Sequence, residues 1–170
     1  MMKTKNCGMK ATVVLIILAA LSTTAASARD PLGMFGAWGA FRDKVPHRCY
    51  AIAEADPRRS RGDWRPFASV ANWPERRVRS QIHVRLRKNR KPGTPVVLAI
   101  GPDRFTLVAG AADAWAPDSR TDAAIVRAIR SGEWMLVTAK AEKGGTFVDS
   151  YPLRGAATAI DAATIACARR

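Results

Sequence analysis

Cys49 and Cys167 are the side chains in this 170-residue chain with the most chemistry open to them. Three uses are possible: a disulfide, a metal site or a reactive thiol. His47-Arg48-Cys49 offers two metal ligands almost side by side, but His83 is the only other histidine. A tetrahedral site takes three or four well-spaced ligands, so no metal is expected. The third cysteine, Cys7, lies in the leader expected below, and the even pair left in an exported chain reads as a disulfide. It would close 167 − 49 = 118 positions. Loop entropy puts the value of such a bridge at about 4–5 kcal/mol as an upper figure.

Cations form the second pattern. Arg79, Arg85, Arg87, Lys88, Arg90 and Lys91 follow one another through an alternating segment and the loop after it, with His83 among them. Alternate side chains on a strand stand about 7 Å apart, close to phosphate spacing on a polyanion. That points to acidic lipid head groups or glycans as partners. A solvated sheet face beside a basic loop explains the same residues without a ligand. Arg58, Arg59, Arg61 and Arg65 can hold phosphates bidentately, or simply decorate a solvated loop. Trp64, Trp73 and Trp115 can stack on bases or sugars, though tryptophans of a β domain more often fill the core.

Catalytic arrangements are weaker. Ser80 and His83 alternate onto opposite strand faces, so they do not pair locally. Ser69 or Ser150 can reach a histidine only through tertiary folding. Asp113 and Asp118 are possible paired carboxylates, but caps and turns account for them better. No Gly-rich phosphate loop and no G-x-S-x-G elbow occurs. No enzyme activity and no cofactor is expected; a periplasmic hydrolase is the last alternative.

The elements that must position these residues begin after a leader. Lys3, Lys5 and Lys10 precede the apolar residues 11–21, and Ala26-Ser27-Ala28 follows. That order is a secretory signal peptide over residues 1–28. The apolar run is short of the roughly 20 residues that span a bilayer, and none of that length follows. A periplasmic or secreted domain over residues 29–170 is therefore expected, with no transmembrane segment after cleavage. The formal charge falls from +14 to +11 with the leader's three lysines. Such a domain is drawn to polyanions, with no specific nucleic acid implied. The remaining 142 residues suit one core.

Alternation dominates what remains. Val78, Ser80, Ile82, Val84 and Leu86 fall on one face of an extended segment. Arg79, Gln81, His83, Arg85 and Arg87 fall on the other. Residues 49–53 and 67–73 also read as strands. Residues 96–100 and 105–108 flank a turn at 101–104, and residues 134–141 and 146–151 flank Gly144-Gly145, giving two hairpins. Asp118 or Ser119 can cap a helix over 121–130 that Gly132 ends. Gly155 precedes an alanine-rich helix over 156–168. Residues 57–65 and 87–95 are basic loops by composition. These elements predict a mainly β domain, sandwich-like or a partial barrel, with a short internal helix and a C-terminal helix.

Several segments resemble the invasion-associated locus B family of exported alphaproteobacterial envelope proteins. Trp38-Gly39-Ala40-Phe41, then Arg48-Cys49-Tyr50-Ala51-Ile52-Ala53, is similar to its opening. Phe105, Ala114-Trp115 and the helix 122–130 are similar to its middle. Phe147-Val148-Asp149-Ser150-Tyr151-Pro152-Leu153-Arg154-Gly155 is similar to its ending. The resemblance implies one small β-rich domain with a role in host-cell association or envelope upkeep, and it supplies no catalytic residues. Family members often carry a cysteine soon after the tryptophan. Arg42-Asp43-Lys44 stands there instead, so Cys49 has only Cys167 left as a partner.

The functional expectation is an exported non-enzymatic envelope protein. A basic polyanion-binding module for lipopolysaccharide, acidic glycan or nucleic acid is the alternative. Oligomeric state is not legible in the sequence.

Overall fold

A computed structural model describes residues 29–62 and 64–168. The expected leader, residues 1–28, lies outside them. Ten strands occur in chain order: β1 (Arg29–Phe35), β2 (Trp38–Asp43), β3 (Arg48–Glu54), β4 (Phe67–Trp73), β5 (Val78–Arg85), β6 (Val96–Ile100), β7 (Asp103–Ala109), β8 (Asp113–Trp115), β9 (Trp134–Lys140) and β10 (Thr146–Pro152). Helix α1 (Ser119–Ser131) separates β8 from β9, and α2 (Ala156–Ala168) follows β10. The strands pair antiparallel in one sheet of order β1-β2-β3-β4-β5-β8-β7-β6-β9-β10, curled into a half-barrel. The partial barrel is the observed form of the expected fold.

Curling brings the two ends of the sheet together. Trp38 on β2 is fully buried, and its Nε1 donates to the carbonyl of Pro152 on β10 at 2.8 Å. The β10 edge does not stay bare. Asp56 N–H donates to Ser150 O, and Ser60 Oγ accepts Ser150 N–H. The loop after β3 thus covers an edge that would otherwise recruit another chain.

The inner face packs against the helices. Around β2–β4 it is lined by Ala40, Ala51, Ala53 and Ala68, all buried. Helix α2 lies against these strands and buries Ala156, Ala159, Ile160 and Ala163. Small residues on both surfaces let helix and sheet approach closely, which is what an alanine-rich helix can offer. Under α1 the core is bulkier, with Val84, Leu86, Leu98, Ile125, Ile129, Met135 and Val137. Asp118 caps α1 by accepting Thr121 N–H at 2.7 Å, and Gly132 ends it.

Three details differ from the sequence reading. The turn between β6 and β7 has only two residues, Gly101 and Pro102, because Ile100 pairs with Asp103. Strands β1 and β8 have no counterpart in the hydrophobic pattern; both are held by their neighbours' ladders rather than by an apolar run of their own. The long alternation of β5 contains a bulge. Trp73 pairs with Val78 but Ala71 with Gln81, so Arg79 and Ser80 together oppose Asn72. Asn72 Oδ1 accepts Ser80 N–H at 3.0 Å, and Ser80 adopts φ 55°. The extra residue shifts the alternation. Val78 joins the face of Gln81, His83 and Arg85, and Arg79 leaves it.

Candidate functional site

The register of β1–β5 and β8 gathers one outer face, opposite the helices. Arg29 stands beside Asp43, Phe41 beside Tyr50, and Asp43 beside Arg48. Tyr50 is next to Ala71, Ser69 to His83, and His83 to Trp115. Each residue contributes because a two-residue period sends it outward while its neighbours enter the core.

Arginines stack on the rings of this face. The Arg29 guanidinium lies 5.6 Å from the Phe41 ring centre and 5.7 Å from that of Tyr50. Arg48 lies 4.6 Å from Tyr50 and 5.2 Å from Trp73, and Arg76 lies 4.9 Å from Trp73. These are cation–π distances. The order Phe41, Tyr50, Trp73 with Arg29, Arg48 and Arg76 between and beside them makes a ladder across the sheet. One carboxylate serves it. Asp43 accepts Arg48 Nε at 2.8 Å and lies 3.5 Å from Arg29 Nε. The Tyr50 hydroxyl is pushed to a higher pKa by burial and then by the nearby Asp43 charge, so it stays a neutral donor to Asp43. Three guanidiniums against one carboxylate leave the ladder positive. The rings fix where the cations stand without answering their charge, which leaves guanidinium N–H groups for anions.

A second cluster on the same face has a carboxylate at its centre. His83 stacks on Trp115 at 5.2 Å and meets the edge of Phe67 at 5.5 Å. Its Nε2 lies 2.9 Å from Asp113 Oδ1, and Arg85 Nη1 donates to Asp113 Oδ2 at 2.5 Å. Ser69 and His83 stand in register on neighbouring strands, with Asp113 on the next strand over. Ser69 Oγ makes no hydrogen bond to the ring among the described residues, and the imidazole is held between two aromatics on an open sheet face. Asp118 is spent on the cap of α1, Ser150 is buried in β10, and Ser80 sits in the bulge.

Beside the ladder lies a groove of about 830 Å³, with Met34, Phe41, Ile52, Trp134 and Pro152 in its walls and Arg29, Arg58 and Arg154 at its margins. Gly39 makes room for it, since a Cβ there would meet the Phe41 ring and the Met34 sulfur at 2.7 and 2.8 Å.

The six cations singled out in the sequence do not form one stripe. Arg79, displaced by the bulge, lines a separate cavity with Asn72, Arg77 and Cys167. Arg85 pairs with Asp113. Arg87 turns inward, its side chain 11 % exposed against a fully buried Asp149, and donates to Arg61 O and Val148 O at 2.9 Å. Arg90 is a clamp: its guanidinium donates to Gly110 O, Thr94 O and Ala109 O. Carbonyls left bare by the loops consume both guanidiniums. Lys88 is half-buried and Lys91 exposed in the same loop.

Arg58 pairs with Asp56, Arg65 with Glu54, and Arg59 lies over Trp134. Trp73 and Trp115 are on the outer face, and Trp64 is half-buried under Arg85 with its Nε1 on Leu86 O; none of the three is core. The ladder escaped sequence reading because Arg29, Phe41, Arg48, Tyr50 and Trp73 sit on four strands. Only the pairing register joins them.

Cys49 and Cys167 form a disulfide with Cα atoms 5.7 Å apart. His47, Cys49 and Cys167 bring their ligand atoms within 4.8 Å of one another. Both sulfurs are taken up by the bond to each other. No helix among the described residues is long and apolar enough to cross a membrane.

No family model matches the chain, and no curated protein matches it. The crystal structure of invasion associated protein B from Bartonella henselae is similar in fold, with a TM-score of 0.56. The match covers 81% of this chain and 98% of that one, at 13% identity. At that identity the likeness is one of architecture.

Proposed function

We propose that this chain is an exported, non-enzymatic envelope protein of the invasion-associated locus B type, and that it binds anionic envelope polymers and head groups through its outer sheet face. The arginine–aromatic ladder of Arg29, Phe41, Tyr50, Arg48, Trp73 and Arg76 carries the reading. The shared architecture with the Bartonella protein supports the family part. The leader and the net positive charge support the cellular part. Acidic lipids are favoured over soluble glycans by the apolar groove beside the ladder, which can take an acyl chain while Arg29, Arg58 and Arg154 face its head group.

The test is binding to heparin and to vesicles with and without an acidic phospholipid, across a salt series. Affinity should fall steeply with salt. Replacing Arg29, Arg48 and Arg76 by glutamine should reduce the slope by about two to three units, near one for each phosphate no longer neutralised. A slope unchanged by this triple variant but reduced by Arg79→Gln, Lys88→Gln and Lys91→Gln would place binding on the loop side instead. Preference for heparin over acidic vesicles would exclude the lipid form. Cell fractionation that leaves the full-length chain in the cytoplasm would defeat the envelope assignment.

A further inference from the structure

The two sulfurs of the disulfide have different surroundings. Cys49 on β3 is fully buried. Cys167, near the end of α2, is half-buried and lines a cavity of about 490 Å³ with Asn72, Arg77, Arg79 and Thr164. A thiolate attacks a disulfide along the S–S axis, from behind the sulfur it strikes. Of the two cysteines only Cys167 is half-buried and borders a cavity from which a thiolate could come.

Cations mark that entrance. Arg77 and Arg79 have no carboxylate partner among the described residues, unlike Arg42, Arg48, Arg85 and Arg130. Their placement depends on unusual backbone. Arg77 adopts φ 55° at the end of the 3-10 turn at Pro74–Arg76, and Ser80 adopts φ 55° in the bulge. Left-handed conformations cost about 1–2 kcal/mol at a non-glycine residue. Without the bulge, Arg79 would point to the outer face. The backbone between β4 and β5 is thus bent so that Arg77 and Arg79 line the same cavity as Cys167. A proton donor is also at hand, since His47 Nε2 lies 3.8 Å from Cys167 Sγ and within 4.8 Å of Cys49 Sγ.

We propose that the Cys49–Cys167 bridge is a thiol-exchange site, that Cys167 is its accepting sulfur, and that its substrate is a small anionic thiol. The incoming thiolate forms a bond to Cys167 Sγ as the Cys49–Cys167 bond breaks, and the electron pair leaves on Cys49 Sγ. His47 in its protonated form gives the departing sulfur a proton and recovers one from water. The products are a mixed disulfide on Cys167 and a buried neutral thiol at Cys49. The attacking thiol supplies the electrons, so no further reductant is needed. Arg77 and Arg79 attract the anion and act as positioning residues. The inference is independent of the outer-face binding proposed above.

The protein with its bridge formed should be treated with 3-mercaptopropionate, 2-mercaptoethanol and cysteamine, three thiols of similar size and different charge. Rates are expressed per thiolate, adducts are trapped by acid quench and alkylation, and their positions are read by mass spectrometry. The adduct should sit on Cys167, with Cys49 alkylated, and the anionic thiol should react about tenfold faster or more than the cationic one. Arg77→Gln with Arg79→Gln should abolish that order and leave the neutral thiol's rate unchanged. His47→Gln should slow all three thiols alike. Thermal unfolding of each variant checks that the fold persists. Adducts on Cys49, or rates that ignore thiol charge, would overturn the proposal; a His47→Gln rate equal to the parent's would remove the histidine from it.

Discussion

Arg87 reaches Asp149 inside the fold: its Nε stands 3.0 Å from Oδ1, while its backbone N–H donates to Oδ2 at 3.2 Å. The carboxylate is fully buried. The Nε and Oδ1 atoms face each other off line, so the contact is ionic without a well-aligned hydrogen bond. Burial dominates, and the pKa of Asp149 is pushed up to about 6, with Arg87 opposing the shift. A folded pKa above the unfolded 3.8 means that the native state holds a proton the unfolded chain has released. Stability therefore rises as pH falls from 7 through 6, and is lost again as pH rises through that value. Asp122, also raised by burial, acts in the same direction. Asp56, Asp118 and Asp161 are lowered by their hydrogen bonds and withdraw stability as the medium becomes more acid. Urea midpoints should pass through a maximum near about pH 5. Asp149→Asn should flatten the rise between pH 7 and 5, while Asp122→Asn should leave most of it.

The same pair separates structural from solvent-facing cations. Arg87→Gln leaves a buried charge without its partner and frees the carbonyls of Arg61 and Val148. The expected loss is about 3–5 kcal/mol. Lys91→Gln, on the exposed part of the loop, should stay within about 0.5 kcal/mol. Equal effects from the two substitutions would mean that the ion pair is not holding the loop after β5 to β10.

Glycines make a sharper contrast. At Gly155, φ is +89° and a Cβ would lie 1.8 Å from Phe35 O. At Gly144, φ is +91° and a Cβ would meet nothing within 4 Å. Gly155→Ala should unfold the protein or lower its melting temperature strongly, because the turn into α2 abuts the turn between β1 and β2. Gly144→Ala bears only the conformational term, about 1 kcal/mol. Thermal melts of the two variants decide whether the close approach or the backbone angle matters at Gly155.

The fold was legible where a local rule governs it. The period-two run marked β5, the turns at 101–104 and Gly144-Gly145 marked the hairpins β6–β7 and β9–β10, Asp118 and Gly132 bounded α1, and Gly155 introduced α2. Strands β1 and β8 were not, because Arg29–Phe35 contains proline and glycine and Asp113–Trp115 is three residues long. Their strand character comes from neighbours. The bulge at Arg79-Ser80 was invisible for the same reason. It is defined by Asn72 across the sheet, and it moved Arg79 off the face that alternation assigned to it. Charge was legible as a sum, but whether an arginine faces an anion or a carbonyl depends on tertiary placement, as with Arg90 on Gly110. The disulfide followed from counting, and its asymmetry from burial alone.

The bridge should hold only the last turn of α2. The residues that bury the helix, Ala156, Ala159, Ile160 and Ala163, all lie in its first eight positions. After them, Asn72 Nδ2 donates to Thr164 Oγ1 at 3.4 Å, and Ile165 is 52 % exposed. Arg130 pairs with Asp161, again before the last turn. Apart from Cys167, little in residues 164–168 resists fraying, and a helix end without packing frays readily. Replacing both cysteines by alanine should lower global stability by up to about 4–5 kcal/mol, the loop-entropy figure for a ring of this length. Hydrogen exchange should then show protection lost at 164–168 and kept at 156–163. Exchange throughout 156–168 would mean instead that the alanine interface with β1–β4 cannot hold the helix without the bridge.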